Sequence, residues 1–114
     1  MQEHFHVQRN QAGDATVLAV SGELDLAASP TLEQELEQAL QQPGEGLIID
    51  LRELEFIDST GLSVLVKAHQ RAEQSGRRFG LVNGGSQVRR LLSLTGIAER
   101  LRVAETPEEL TAEG

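Results

Sequence analysis

The sequence contains no cysteine and very few aromatic residues. Among its 114 residues there are three phenylalanines and no tryptophan or tyrosine. The absence of cysteine excludes disulfides, a thiolate zinc site and a cysteine nucleophile. The scarcity of aromatic rings argues against a surface that stacks single-stranded nucleic-acid bases. No apolar stretch approaches the roughly 18 residues that cross a bilayer, so the sequence predicts a cytoplasmic protein with no membrane span.

Positive charge is scarce in the first half of the chain. Ten Lys and Arg residues face 18 Asp and Glu residues, giving a net charge of -8, which argues against direct binding to nucleic acid. Residues 1–57 hold 11 acids and two bases, whereas the eight remaining bases all lie between Lys67 and Arg102. This basic run is either a set of solvated helix faces or a surface that binds an acidic partner.

Length and composition predict one globular domain, residues 1–114. Hydrophobic residues make up 39% and charged residues 25% of the chain, which is too apolar for a disordered protein. Apolar periodicity predicts the order strand, strand, helix, strand, helix, strand, helix, strand, helix. Such alternation is typical of an α/β domain with a mixed, mostly parallel β-sheet. We therefore expect four to five strands and about four α-helices.

Serine, glycine and proline mark the predicted helix boundaries. Ser29 precedes a proline, which is typical of a helix N-cap, and Ser86 is expected to cap the helix "QVRRLLSLTG". Gly76 is a natural helix C-terminus. Residues 52–54, "REL", are expected to form a turn after the apolar strand "GLIIDL".

The stretch "FIDSTGLSVL", residues 56–65, places an acid, two hydroxyls and a glycine between two apolar segments. Either Asp58 or Ser59 can serve there as a helix N-cap, which needs no further function. Parallel sheets also place functional sites at this end of their strands, and Thr60 supplies a second hydroxyl where one cap is enough. Gly61 costs the helix about 1 kcal/mol relative to alanine, so we expect a close approach to its backbone.

Ser59 is a poor candidate for a catalytic nucleophile. Serine hydrolases need a base within reach of the hydroxyl. His69 lies about 15 Å along the helix that Ser59 would start, and the glycine-x-serine-x-glycine elbow is absent. We therefore expect no enzymatic activity.

Two other motifs give weak evidence for a ligand. His4 and His6 share one face of the first strand, but two metal ligands without a nearby third do not make a site, and a polar strand face is the simpler interpretation. "NGGS", residues 83–86, lacks both the dinucleotide glycine pattern and a phosphate-loop lysine. No cofactor or metal is expected.

With these motifs in place, the sequence resembles the STAS domain family, and within it the anti-sigma factor antagonists of bacterial partner-switching systems. The resemblance runs from about Val17 to Leu110. It rests on three segments in the family's order and spacing: "VSGELD" (20–25), "LIIDLRELEFIDSTGLSVLV" (47–66) and "SQVRRLLSLTGI" (86–97). It implies a single STAS-type domain.

The resemblance implies an anti-sigma factor antagonist that is regulated by phosphorylation. In the family, the serine that follows the aspartate is phosphorylated by a partner that is both serine kinase and anti-sigma factor, and here that residue is Ser59. The unphosphorylated antagonist binds the kinase and frees the sigma factor. The phosphorylated form dissociates, and a serine phosphatase of the PP2C type restores it. A monomer or weak dimer is expected.

Family motifs also suggest the surroundings of this phosphosite. Asp25 of "GELD" matches an acidic residue beside the site, and Asp58 matches the one before it, with Thr60 and Gly61 completing the motif. Ser63 stands where antagonists often have glycine. The expected partner-binding residues are Gly22, Glu23, Asp25, Ser59, Leu62, Ser63, Ser86, Arg89 and Arg90.

A phosphate on Ser59 is expected to act as a binding switch without refolding. It would add about -1.5 to -2 charge at neutral pH, and the amides of a helix N-terminus can accommodate it. The phosphate would weaken the complex, because neighbouring carboxylates would repel it and docking would remove its hydration. An alternative also stays open, in which the chain is a standalone STAS component of a membrane transport complex that no kinase modifies.

Overall fold

The computed structural model describes residues 4–111, which form a five-stranded sheet flanked by helices. The strands follow one another across the sheet in chain order. Their bounds are β1 Phe5–Ala12, β2 Ala15–Leu24, β3 Gly46–Ile57, β4 Arg78–Val82 and β5 Val103–Ala104. β1 pairs antiparallel with β2, and the other neighbours are parallel. The predicted mixed, mostly parallel α/β fold is thereby confirmed, with the predicted domain's residues 1–3 and 112–114 lying outside the described chain.

Five helices accompany these strands within residues 4–111, one more than the sequence predicted. They are α1 Ser29–Gln41, α2 Ser59–Gln74, α3 Ser86–Leu94, α4 Ile97–Arg100 and α5 Pro107–Thr111. The unpredicted helix is α4, a single turn that Gly96 separates from α3. Gly96 has a φ of 79°, and a left-handed residue of this kind ends one helix before the next begins.

The main hydrophobic core lies between the sheet and helices α1 to α4. Its fully buried members include Leu18 of β2, Leu32 of α1, Ile49 of β3, Leu65 of α2 and Leu92 of α3. Side chains alternate between the faces of a strand, and the apolar stripes of the helices pack on the face that these residues share. The core therefore fixes where each helix begins relative to the strand ends.

The opposite face of the sheet carries a smaller apolar cluster. There Leu110 of α5 packs with Val17, Ile48 and Val82. Further along β2, toward its C-terminal end, the exposed residue Glu23 follows half-buried positions. Among residues 4–111, no helix combines the length and the apolar composition that a bilayer span requires.

Two predicted helix caps are wrong. The N-cap of α1 is Ala28, whose N–H donates to Oδ1 of Asp25 at 3.0 Å, while the Ser29 hydroxyl donates to the Asp25 carbonyl at 2.8 Å. Asp25, three residues upstream of the N-cap, therefore holds the turn that leads into α1. Ser86 is the first residue of α3, because Gly85 occupies the extended N-cap position without a side-chain bond.

The predicted turn at residues 52–54 is also wrong, because β3 continues unbroken from Gly46 to Ile57. The register of β3 against β2 shifts twice, and at each shift β3 contains one extra residue. Such bulges change which face a following side chain points to. They let Leu51, Leu54 and Ile57 all reach the main core although they are three residues apart.

Candidate functional site

The predicted phosphorylation motif lies where β2 and β3 end side by side. Leu24 and Ile57, the last residues of these strands, are register partners. The Asp58 N–H donates to the Leu24 carbonyl at 3.2 Å. Asp25 follows β2 just as Asp58 follows β3. The parallel pairing therefore brings both predicted acidic residues to the same end of the sheet, where these strands terminate.

Asp58 is the N-cap of α2, which resolves the choice between it and Ser59. Its backbone is extended, and its Oδ1 accepts a hydrogen bond from the Gly61 N–H at 2.9 Å. Its carbonyl accepts the Leu62 N–H at 3.0 Å. Because the aspartate performs the capping, the Ser59 hydroxyl is not required for it.

Ser59 is the exposed first residue of α2. Within residues 4–111 its hydroxyl has no hydrogen-bond partner, and its carbonyl accepts the Ser63 hydroxyl at 3.1 Å. Thr60, beside it, is half-buried. The N–H groups of Ser59 and Thr60 donate to no described residue, as is usual in a first helical turn. One helix end thus carries an exposed hydroxyl and two backbone donors that have no acceptor among the described residues.

Gly61 is required because α2 begins in contact with the strand ends. A Cβ at this position would lie 2.7 Å from the Leu24 carbonyl oxygen and 2.8 Å from both Leu24 Cγ and Ile57 Cγ1. These distances are too short for any real side chain. The close approach expected from the sequence is present, and the protein's own β2 makes it.

Asp25 is held in its ionised form by its neighbours. Oδ1 accepts the Ala28 N–H, and Oδ2 lies 3.5 Å from Nε2 of His4. The hydrogen bond from the Ala28 N–H, with a lesser contribution from His4, lowers the pKa of Asp25 below its usual value, although partial loss of hydration opposes this shift. The sheet edge next to Ser59 is therefore acidic at neutral pH.

Gly22 and Glu23 shape the end of β2. Gly22 has a φ of 90°, and a Cβ there would lie 2.0 Å from the His4 carbonyl oxygen. Strand geometry alone therefore demands glycine. Glu23 is exposed, and its N–H donates to the same carbonyl at 2.8 Å.

The other residues predicted to bind a partner differ in accessibility. Ser63 and Ser86 are exposed at the starts of α2 and α3. Leu62 is only 6% exposed and packs in the main core, so it anchors α2 to that core. Arg89 forms an ion pair with Glu105.

Most bases between Lys67 and Arg102 bind groups of the protein itself. Arg71 pairs with Glu37, and Lys67 lies 3.9 Å from Glu33, so that both residues link α2 to α1. Arg78 pairs with Asp14, as Arg89 does with Glu105. Arg90 is exposed and has no ion-pair partner among residues 4–111. Within residues 4–111, three of these pairs therefore join a base of the second half of the chain to an acid of the first half.

One residue that positions the site was missed by the sequence analysis. The side-chain amide of Gln87, on α3, hydrogen-bonds the backbone of Ile57, directly before Asp58. A glutamine near the start of an amphipathic helix gives no signal for this role.

Comparisons with known proteins agree with the fold. The model of the STAS domain family matches residues 6–110. The anti-sigma-F factor antagonist RsfB of Mycobacterium tuberculosis is 34% identical over 90 residues, which cover 79% of this chain and 73% of RsfB. The anti-sigma-B factor antagonist of Listeria monocytogenes is 31% identical over 91 residues, 80% of each chain. The crystal structure of an anti-sigma factor antagonist from Mycobacterium paratuberculosis superposes with a TM-score of 0.85 at 28% identity, covering 94% of this chain and 91% of that one. This chain therefore belongs to the STAS domain family.

Proposed function

We propose that this protein is an anti-sigma factor antagonist whose binding to its anti-sigma factor is switched by phosphorylation of Ser59. The names of its relatives support the first part. Phosphorylation of Ser59 is supported by the different roles of Asp58 and Ser59. Asp58 caps α2 and leaves the neighbouring hydroxyl exposed and unbonded within the described chain.

The docking surface is the edge of the sheet at the C-terminal ends of the parallel strands. Asp25, Ser59 and Ser86 follow β2, β3 and β4 at this edge, where α/β folds place their sites. In the proposed cycle the unphosphorylated protein binds an anti-sigma factor that is also a serine kinase. That binding releases the sigma factor.

A phosphate on Ser59 is compatible with the isolated fold. The backbone N–H groups of Ser59 and Thr60 have no acceptor among the described residues, and they lie at the positive end of a helix dipole. A phosphate there gains hydrogen bonds without displacing the Asp58 cap. We expect the helix to persist after modification.

The same phosphate is unfavourable in the complex. Asp25 and Asp58 flank the start of α2, and the lowered pKa of Asp25 keeps that carboxylate charged. Docking brings these like charges together and removes the water that screens them. Phosphorylation by the bound kinase therefore releases the partner, and a serine phosphatase of the PP2C type restores binding.

The neighbouring hydroxyls are poorer acceptors of phosphate. Ser63 uses its hydroxyl to donate to the Ser59 carbonyl at 3.1 Å. Thr60 is half-buried. The proposal therefore assigns the modification to Ser59 alone.

Intact-mass measurement tests this proposal. The protein is incubated with ATP and, in turn, each serine-kinase-like anti-sigma factor encoded in the same genome. We expect one phosphate on the wild type and on Ser63→Ala, and none on Ser59→Ala. Transfer to Ser59→Ala, or no transfer from any candidate kinase, would contradict the switch. The latter result would favour the structural role in a transport complex.

A further inference from the structure

The structure places His4 with two carboxylates instead of with His6. His4, Glu23 and Asp25 each contribute one potential ligand atom, and these three atoms lie within 4.8 Å of one another. Nε2 of His4 is 3.5 Å from Oδ2 of Asp25. Both carboxylates come from the C-terminal end of β2, because Glu23 lies in this strand and Asp25 directly follows it.

The backbone fixes two of these residues relative to each other. The Glu23 N–H donates to the His4 carbonyl at 2.8 Å, so the ends of β1 and β2 are joined directly. The glycine at position 22, with its φ of 90°, lets β2 approach this carbonyl more closely than any other residue allows.

Asp25 is oriented by a hydrogen bond on the far side of its carboxylate. Oδ1 accepts the Ala28 N–H at 3.0 Å, and Oδ2 is the oxygen near His4. Hydrogen bonds of this kind to a ligating carboxylate fix its direction in metal sites. Asp50, another acid of the sheet, is by contrast engaged by Arg52 at 2.8 Å.

We propose that His4, Glu23 and Asp25 bind one divalent transition-metal ion of the zinc class. One imidazole and two carboxylates form a donor set that zinc accepts, with metal-ligand distances of about 2.0–2.2 Å. The exposed side chains of His4 and Glu23 can close the remaining gap by rotation. Calcium and magnesium prefer sites made wholly of oxygen ligands, so the imidazole selects against them.

A bound ion would change the charge beside the phosphosite. It would offset the negative charge of Asp25, one residue beyond the register partner of Ile57. This consequence rests on the proposed function, whereas metal binding by the three side chains does not. The two can therefore fail separately.

Calorimetric titration of the tag-free full chain with Zn²⁺ at neutral pH, after removal of metals with a chelator, tests the site. We expect one ion per chain for the wild type. Loss of one ligand in His4→Ala should weaken this binding by at least about tenfold, since even outer-shell changes cost about 10–100-fold. Glu23→Gln, at an exposed position, should weaken it as well.

His6→Ala is the matched control. His6 lies two residues away on the same strand face but lines a shallow depression with Ser21 and Glu53. It should bind Zn²⁺ as tightly as the wild type, and the ring resonances of His4 should shift on titration more than those of His6. Equal affinity of His4→Ala and the wild type, or no saturable binding by the wild type at millimolar Zn²⁺, would overturn the proposal. Neither result bears on phosphate transfer to Ser59, which is measured without added zinc.

Discussion

The side chain of Gln87 pairs with both backbone groups of Ile57. Its Nε2 donates to the Ile57 carbonyl at 2.9 Å, and its Oε1 accepts the Ile57 N–H at 3.0 Å. β4 pairs with β3 only as far as Asp50, so the last residues of β3 lack a strand on that side. Gln87 supplies the missing partner next to the phosphosite.

Replacing Gln87 with alanine should destabilise the protein by about 1–3 kcal/mol, because it leaves a donor and an acceptor of fully buried Ile57 without partners. Urea unfolding measures the change, and hydrogen exchange at the Ile57 amide should accelerate. Gln70→Ala, an exposed glutamine on α2, is the control and should cost less than about 0.5 kcal/mol. Equal costs would mean that Gln87 adds nothing beyond helix packing.

Gly61→Ala should destabilise the protein even though alanine is the better helix former. The added Cβ would meet the Leu24 carbonyl oxygen at 2.7 Å. Overpacking of this kind costs about 1–3 kcal/mol, more than the roughly 1 kcal/mol gained in helix propensity. Thermal or urea unfolding provides the measurement. Gly85→Ala, where no atom lies within 4 Å of the new Cβ, should change stability less, and a more stable Gly61→Ala would show that α2 shifts easily.

Local patterns predicted the sheet, the order of elements and the start of α2. Gly61 was identified, and the cap was narrowed to Asp58 or Ser59, because these signals lie within one helical turn. The continuity of β3 was missed because its bulges depend on pairing with β2. Long-range contacts were missed for the same reason: the roles of Gln87 and of the ion pairs follow from which elements are neighbours in space, and apolar periodicity does not encode this.

Arg77 from the segment before β4 should stabilise the C-terminal end of α1. It donates to the carbonyls of Ala39, Leu40 and Gln42, and the last turn of α1 contains no basic residue of its own. Arg77→Ala leaves these carbonyls without a cationic donor. We expect a loss of about 1–3 kcal/mol and faster hydrogen exchange in the last turn of α1.

The neighbouring Arg78→Ala is a matched control for Arg77. Its ion pair with Asp14 at 3.1 Å is exposed on both sides, and such pairs contribute less than about 1 kcal/mol. Similar losses in the two variants would contradict the capping role of Arg77.

The Glu37 and Arg71 pair should make stability depend on pH. The hydrogen bond from Arg71 lowers the pKa of Glu37 in the folded protein, against a smaller effect of lost hydration. Because the folded pKa is lowered, the pair adds to the free energy of unfolding above the unfolded pKa of about 4.3. This contribution is lost as pH falls through the folded pKa. Glu37→Gln should therefore be less stable than the wild type at neutral pH, with a difference that shrinks below about pH 4. Unfolding curves in about 1 M salt, where the Debye length is about 3 Å, should show a smaller difference at every pH.

Ser59→Asp should weaken binding to the cognate anti-sigma factor by about 1–3 kcal/mol, because it adds a charge beside Asp25 and Asp58 that docking must desolvate. This expectation rests on the proposed function. Titration calorimetry measures the affinity, and hydrogen exchange across α2 should stay close to that of the wild type. Gln70→Glu adds the same charge about 16 Å along the same helix and should leave affinity nearly unchanged. If both variants weaken binding equally, the total charge of the protein controls the complex and the position of Ser59 does not.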